Sequence, residues 1–508
     1  MNGLESWVAS ILSKHDMPDD VFTTIGTLDN LYISSFGSWK DTRYAKNPAL
    51  KASGPLSIAV PGELAGLHKA WKSYGKLPWK RLVIPAENLA RNGFKISPFL
   101  YTQMVKTAPQ IKADKGLREI FAPGGILLKP GDICRNINLA NTLGKISKYG
   151  LNILYNGSIG SNIVADVHKA GGILTMEDLQ KYQVKLREPI SAGIIGLKVL
   201  GIPPPSSGGA AMVLILNLLA QYGLPLNVSG PLGIHRHIEA LKHAFAMRMN
   251  LGDPDFVNVK EVLSDMLSTN FASGLKQTTS DNVTSRASHY GGRWNQIPTQ
   301  VTSPLLTDQG TTHISIVDRK RNAVSLTTSI NFFFGSRFLS PSTGILLNNQ
   351  MNDFSVPAGN TPAAAAANFI LPSKRPLSSM SPTIVLKGER LKAVFGASGG
   401  ALIIAGTTEV FLNHFANKLD PLSSVLAPRY YHQLIPGVLY YENWTTVTHD
   451  HIEVPAKTRI ALRKKGHVLR SLARGSVCQF VVQKLGPLKL GELVAVSDPR
   501  KGGFPAGF

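Results

Sequence analysis

The chain has 508 residues, 43% of them hydrophobic and 17% charged, with a net charge of +22. This composition excludes a disordered chain and leaves room for a large core, with two domains expected. The positive charge is spread, +10 over residues 1–310 (32 basic, 22 acidic) and +12 over 311–508 (22 basic, 10 acidic), which argues against a nucleic-acid footprint.

Met1 to Asp20 is polar and has no long apolar run, so no signal peptide is expected there. Residues 1–55 are weakly patterned. Pro61-Gly62-Glu63 opens a helix to about Tyr74, with Leu64, Leu67, Ala70 and Trp71 at helical spacing. A second helix starts near Trp79 and reaches about Asn92, and helical periodicity also fits 137–149, 159–169 and 176–181. Leu197 to Ile202 reads as a strand running into the Pro203–Gly209 loop. Ala210 to Ala220 is about half a membrane span long and carries Asn217, so it reads as a buried helix. A long helix fits Ile234 to Leu251. His235, His237 and His243 lie on it with no acidic or cysteine partner at ligand spacing, so capping or surface roles are expected, and no metal. Cys134 and Cys478 allow one disulfide and require none.

Residues 272–310 are polar, irregular and rich in Ser, Thr, Asn and Gly, the texture of a surface linker. The linker runs into Asp308-Gln309-Gly310-Thr311-Thr312-His313. Residues 311–317 and 323–329 flank a charged turn and could form the two strands of a hairpin. Pro357 to Ala367 is low in complexity. Strands at 383–386 and 392–395 lead into Gly396-Ala397-Ser398-Gly399-Gly400, and a helix fits 402–417. Arg463-Lys464-Lys465 reads as a solvated helix face. Strands alternating with helices predict a mixed, layered α/β protein.

Three constellations could carry chemistry. Gly310-Thr311 joins an accessible carbonyl to a hydroxyl that can attack it. After cleavage, Thr311 would carry its own base, an α-amine of pKa about 7.7–8.0. Across the hairpin, Ser329 could hydrogen-bond the Thr311 hydroxyl, with Asn331 just beyond. Gly399-Gly400, between a strand and a helix, could present backbone N–H groups to an oxyanion. Gln350 and Asp353 suit an ammonium group, and Ser378 and Ser379 suit a carboxylate. The literal G-x-S-x-G at 396–400 leaves a serine hydrolase using Ser398 as a rival, with His414, His432, His449, His451 and His467 available downstream.

At these residues the chain resembles the γ-glutamyltransferases, also called glutathione hydrolases, and in particular their plant-type branch. The resemblance runs from about Leu56 to the C-terminus. It rests on Val60-Pro61-Gly62-Glu63, the Pro203–Gly209 loop, Asp308 to Asn331, Ser340-Pro341 with Gly344 to Ser355, Arg375 to Pro382, and Gly396 to Gly400. It implies a four-layer αββα sandwich of the N-terminal-nucleophile hydrolase type, made as one chain and self-cleaved. Residues 56–310 would be the large-subunit-like region and 311–508 the small one, after an atypical segment 1–55.

By the same resemblance, Thr311 is the nucleophile, Ser329 positions it, and Gly399 and Gly400 form the oxyanion hole. Asn331, Gln350 and Asp353 hold the γ-glutamyl amino end, while Ser378 and Ser379 hold its carboxylate. The implied partners are glutathione, its S-conjugates and other γ-glutamyl compounds, with water, amino acids or dipeptides as acceptors and the two fragments staying associated. Neither cofactor nor nucleic acid is implied.

Family members are extracellular, vacuolar or membrane-associated, and four N-x-S/T sequons (Asn156, Asn227, Asn282, Asn443) are compatible with a secretory route. Two departures stand out. Ser329 replaces the usual Thr. The family's N-terminal Arg-Glu-x-Ala-Pro-like motif, whose Arg grips the substrate carboxylate, has no counterpart in residues 1–55, where Arg43 is the one arginine. A catalytically impaired, uncleaved homologue is therefore the alternative within the family.

Overall fold

The computed structural model describes residue 44 and residues 46–295, 310–356, 365–484 and 491–507. A six-stranded antiparallel sheet lies at its centre. In chain order its strands are β1 (Ile190–Ile194), β2 (Leu197–Gly201), β5 (Thr383–Lys387), β6 (Arg390–Ser398), β7 (Val477–Gln483) and β8 (Leu493–Ser497). Across the sheet they run β8-β7-β6-β5-β2-β1. The hairpin β3 (Thr311–Val317) and β4 (Ala323–Ser329) lies against one face of that sheet.

The layering follows from side-chain alternation, which sends successive residues of a strand to opposite faces. On the outer face of the large sheet, Val199, Val385 and Phe395 meet Leu214, Leu241 and Ile404. Those three come from helices α3 (Gly208–Ala220), α4 (Gly230–Arg248) and α5 (Leu402–Phe411). On the inner face, Leu200, Ile384 and Val394 pack with Ala323 and Val317 of the hairpin. The hairpin's other face carries Ile314, Ile316, Val324 and Leu326, which pack with Leu67 and Leu82. These belong to α1 (Glu63–Tyr74) and α2 (Trp79–Asn92). Helices, sheet, hairpin and helices make the four αββα layers.

The Pro203–Gly209 loop has a positional purpose. A side chain at Gly208 would lie 2.1 Å from the Met380 carbonyl, and one at Gly209 would lie 2.2 Å from that of Ile202. Only glycine permits this approach, which seats Ser207 against Ser378: its N–H and hydroxyl donate to the Ser378 carbonyl at 2.8 and 2.7 Å.

Some expectations need correction. Residues 269–278 form a helix, and Tyr290, in the supposed surface linker, is fully buried. The rest of that linker, 296–309, lies outside the described residues, as does most of the low-complexity loop. The helix predicted over 402–417 is α-helical only to Phe411 and closes as a π turn, Leu412–Ala416. The three helical segments between Pro98 and Phe121 carried no clear periodicity and went unpredicted. The basic run does lie at the end of a helix, Ala456–Lys464, with Arg463 and Lys464 exposed.

Phe395 is fully buried, its ring centroid 5.5 Å from Phe480 and 6.4 Å from Phe411. Phe395→Ala is expected to destabilise the protein by about 3–5 kcal/mol in urea unfolding. A loss below about 1 kcal/mol would contradict a tightly packed helical face.

Candidate active site

Thr311 opens β3 directly opposite Ser329, the last residue of β4. Both are buried and their hydroxyl oxygens are 2.8 Å apart. Ser329 Oγ also accepts the Asn331 N–H at 2.8 Å, across a backbone that turns left-handed at Asn331 (φ 69°). The pair begins a polar ladder on the face toward the large sheet. His313 stands opposite Thr327, with Nδ1 and Oγ1 2.8 Å apart, and Ser315 stands opposite Ser325. Burial holds the His313 imidazole neutral, its pKa lowered to about 3. Gly396 makes room for it, since a Cβ there would lie 2.4 Å from the ring.

Gly310 is equally confined. Its N–H donates to the Asn331 carbonyl at 2.5 Å, its own carbonyl accepts the Ile330 N–H at 3.3 Å, and a Cβ would sit 2.2 Å from the Phe332 carbonyl. A bond that admits no side chain on its N-terminal side thus lies beside a paired hydroxyl.

An acceptor-rich cluster adjoins Asn331. Gln350 Nε2 donates to Asp353 at 2.6 Å, and Asn331 Nδ2 donates to the Asn349 carbonyl at 3.1 Å. The Asn331 Oδ1 and Gln350 Oε1 atoms are buried with no hydrogen-bond partner. Burial pushes the Asp353 carboxyl up from 3.8 to about 6, against the opposing pull of Gln350, Lys51, Arg248 and Asn331. Lys51 comes from the N-terminal segment and donates to the carbonyls of Asn352 and Phe354 at 3.3 and 2.6 Å.

The serine pair lies on the loop beside Ser207. Arg248, at the end of α4, donates from Nε to Ser207 Oγ and from Nη2 to Ser379 Oγ, both at 2.9 Å. Ser378 Oγ accepts the Met380 N–H at 3.1 Å.

Gly399 (φ 130°) and Gly400 (φ 59°) form the turn from β6 into α5, in a backbone conformation that favours glycine at both positions. Lys501 ties this turn to the hairpin by donating to the Thr311 carbonyl at 2.8 Å and to Ser398 Oγ at 2.9 Å. A cavity of about 710 Å³ opens beside Ser398 and Gly399, with Lys106, Arg474, Lys501, Phe99 and Trp444 in its wall.

The predicted residues therefore gather into connected groups, joined by Asn331, Arg248 and Lys501. The rival reading of Ser398 fares worse. Its hydroxyl meets Lys501, while His414, His432, His451 and His467 bond to Leu419, Leu434, Thr445 and His235. His449 lines the same cavity as Ser398, with no hydrogen bond between them among the described residues.

The helix histidines also need correction. His235, His237 and His243 are buried, and an acidic partner does stand at ligand spacing, one turn on at Glu239. His235, Glu239 and His467 could place ligand atoms within 4.8 Å of one another. Their donors are otherwise engaged: Glu239 takes Lys242 at 2.9 Å, Thr284 at 2.7 Å and Tyr290 at 2.5 Å, while His235 meets His467 and the Ser280 carbonyl, each at 2.8 Å. The Lys242 ammonium already supplies the positive charge a metal would bring.

Sequence reading missed Lys51, Ser207, Arg248 and Lys501. Ser207 lies inside the Pro203–Gly209 loop, but Lys51, Arg248 and Lys501 lie in no pattern of their own, and each of the four reaches the site across more than 40 residues of chain.

A family model described as Gamma-glutamyltranspeptidase matches residues 36–508, beginning ahead of the expected Leu56. The chain is 58% identical to "Glutathione hydrolase 2" of Arabidopsis thaliana, over 92% of this chain and 80% of that protein. It superimposes on a cephalosporin acylase from Bacillus halodurans with a TM-score of 0.75 at 24% identity, covering 92% of this chain and 83% of the other. It also matches the Helicobacter pylori gamma-glutamyltranspeptidase, with a TM-score of 0.50 at 28% identity over 54% of this chain and 79% of that one.

Two outcomes follow from this geometry. Ser329→Ala removes the partner of Thr311 Oγ1 and leaves the buried Asn331 N–H without its acceptor. It should cost about 1–3 kcal/mol of stability in urea unfolding, while Ser329→Thr should restore it. For Asp353, the raised value means that between pH 3.8 and about 6 the folded chain holds a proton the unfolded chain has lost. Stability therefore falls as pH rises through that window and stays lower above it. Asp353→Asn should abolish that slope and be the more stable protein at pH 7 by about 1–3 kcal/mol. An unchanged pH profile in melts at pH 4 and pH 7 would count against the assignment.

Proposed function

The chain belongs to the gamma-glutamyltranspeptidase family, and on that premise we propose that Thr311 is its nucleophile, first upon Gly310 and then upon substrate. It is a γ-glutamyl hydrolase and transferase acting on glutathione or related γ-glutamyl compounds, with an N-terminal-nucleophile fold. The observation that carries the residue assignment is the Thr311–Ser329 hydroxyl pair at 2.8 Å, placed directly after a glycine with no room for a side chain.

The mechanism has two stages. In maturation, Thr311 Oγ1 attacks the Gly310 carbonyl carbon, the peptide shifts to an ester, and water releases Gly310. Fragments 1–310 and 311–508 result, and the α-amine of Thr311, with a pKa of about 7.7–8.0, becomes available as a base. In turnover, that amine takes the hydroxyl proton as Oγ1 attacks the γ-carbonyl. The N–H groups of Gly399 and Gly400 receive the developing oxyanion, a contribution of about 3–4 kcal/mol per donor. The proton passes to the departing cysteinylglycine amine. Water then hydrolyses the γ-glutamyl ester, or an acceptor amine takes the acyl group.

Asp353, Gln350 Oε1 and Asn331 Oδ1 offer acceptors for an ammonium, which carries three N–H donors. Two of them are otherwise unsatisfied buried oxygens, the kind of cost a protein retains where a ligand will repay it. Ser378 and Ser379 take the α-carboxylate. The basic cavity beside Gly399 suits the carboxylate of the departing dipeptide, an S-conjugate or a peptide acceptor. Among the described residues no helix is long and apolar enough to cross a membrane. By resemblance to its family, we propose that the chain acts in the apoplast, in the vacuole or at the plasma-membrane surface.

Expression of the full chain tests this directly. A denaturing gel should show two fragments, of 310 and 198 residues (508 − 310), with Thr311 at the new N-terminus. Thr311→Ala should give one uncleaved band with no release of glutamate from glutathione. Ser398→Ala should still cleave. A single band from the unaltered chain would overturn the proposal.

A further inference from the structure

We propose that the cavity beside Gly399 is the subsite for the cysteinylglycine half of glutathione, with Lys106 and Arg474 as the ligands of its terminal carboxylate. The inference rests on the preceding reading of Thr311 and commits the cavity to one class of ligand, a peptide that ends in a free carboxylate. Both prospective fragments build the wall. Gln103 and Lys106 come from the helix Pro98–Lys106, Trp444 from the strand Leu439–Thr445, and Arg474 from the loop ahead of β7.

Charge selects an anion. Among the described residues the cavity is lined by Lys106, Arg474, Arg500 and Lys501, and by no Asp or Glu. Arg500 is engaged with Glu442 and Asp498, and Lys501 holds the Thr311 carbonyl and Ser398. Lys106 and Arg474 repel one another. Burial lowers the Lys106 ammonium from its ordinary value, and the charge of Arg474 lowers it further. A carboxylate between the two relieves that repulsion, and a cleft lined by one sign of charge concentrates the opposite ion.

The uncharged lining selects a peptide. Gln103 is only 5% exposed, and its Oε1 has no hydrogen-bond partner among the described residues; nor has the buried Trp444 Nε1. One is an acceptor and the other a donor. A peptide unit offers the complementary pair, one N–H and one C=O, whereas a simple anion would leave the Gln103 oxygen unpaired. Reach agrees with this. Gly399 lies in the same wall, so an acyl carbon held at its N–H opens onto the cavity. Two extended residues span about 7 Å, which a cavity of about 710 Å³ accommodates.

The test compares glutathione with its analogue carrying an uncharged glycine carboxamide. The unaltered chain should prefer the acid, and Lys106→Gln should lower the ratio of the two kcat/KM values by about tenfold or more. A merely structural role for Lys106 would depress both donors in parallel and leave the ratio where it was. That result, or an unaltered chain that turns over both donors equally, overturns the inference.

Equilibrium binding of S-methylcysteinylglycine to the full-length Thr311→Ala chain separates this inference from catalysis. Adding Lys106→Gln or Arg474→Gln should weaken that binding by about tenfold or more, and Trp444→Phe, which keeps a ring and removes the donor, should weaken it as well. If the unaltered chain neither cleaves nor turns over, dipeptide binding that depends on Lys106 leaves this assignment standing while the proposed function falls. No dipeptide binding, binding indifferent to both cations, or acetate competing as well as the dipeptide does would sink the assignment itself.

Discussion

The pairing of Thr311 with Ser329 is the constraint on which the site depends. Strand side chains alternate with a period of two, so a slip of one residue would send every side chain of the hairpin to the wrong face. The outer face is pinned by Ile314, Ile316, Val324 and Leu326 against the helices. The inner face is pinned by matched polar pairs. Ser325 Oγ donates to the Phe395 carbonyl at 3.0 Å and accepts the Thr383 N–H at 3.0 Å, locking the hairpin to the large sheet. One apolar face and one polar ladder agree on a single register, and that register puts two hydroxyls together at the strand end.

The second requirement is that distant segments converge on that strand end, and here buried charge does structural work. Arg429, Glu442, Asp498 and Arg500 are all buried. Arg500 pairs with Asp498 at 3.1 Å and with Glu442 at 2.6 Å, and Arg429 pairs with Asp498 at 3.0 Å. Burial alone would raise the Asp498 carboxyl, but the two arginines outweigh it and hold it below its usual range. Such a network is costly to break from one side, because the abandoned charge stays buried. It clamps the chain immediately before Lys501, whose ammonium can then reach both Thr311 and Ser398. The contrast with Asp353 is instructive: there a buried carboxyl keeps a raised pKa, and nearby amide oxygens go without partners. Stability is invested in the scaffold and given up at the pocket.

How much of this was legible in the sequence depended on distance along the chain. Helices α1 and α2, the apolar α3 and the hairpin carried periodicities strong enough to place their bounds within a few residues. Thr311 and Ser329 could be paired because they are 18 residues apart on two strands of equal length. Gln350 and Asp353 were visible as a local cluster, since both lie on one short turn. Arg248 was not: it sits 131 residues from Ser379, at the end of a helix whose other face is packed into the core. Lys501 lies 190 residues from Thr311 and belongs to no repeat or motif by composition. The buried histidines were misjudged for a related reason. Polar spacing on α4 suggested a wet face, and only tertiary packing supplies the partners that let it be dry.

On the role proposed for Thr311, the same geometry would let one chain be both a self-cleaving precursor and an enzyme without refolding. Cutting Gly310–Thr311 sacrifices the two backbone bonds that Gly310 makes to Ile330 and Asn331. Among the described residues, the contacts that fix the proposed nucleophile belong to Thr311 or lie beyond it: the bond to Ser329, the strand pairing down to Val317, and the lysine on its own carbonyl. Lys501 grips the Thr311 carbonyl, on the side of the cut that remains, so its hold is indifferent to cleavage. The loss of Gly310 vacates the Asn331 carbonyl, an acceptor close to where the new α-amine would stand. A base that must give and take a proton at neutral pH gains from one neutral acceptor and no fixed opposite charge, since a carboxylate there would raise its pKa away from the working range. Just beyond the hairpin, the Asn331 carbonyl is such an acceptor.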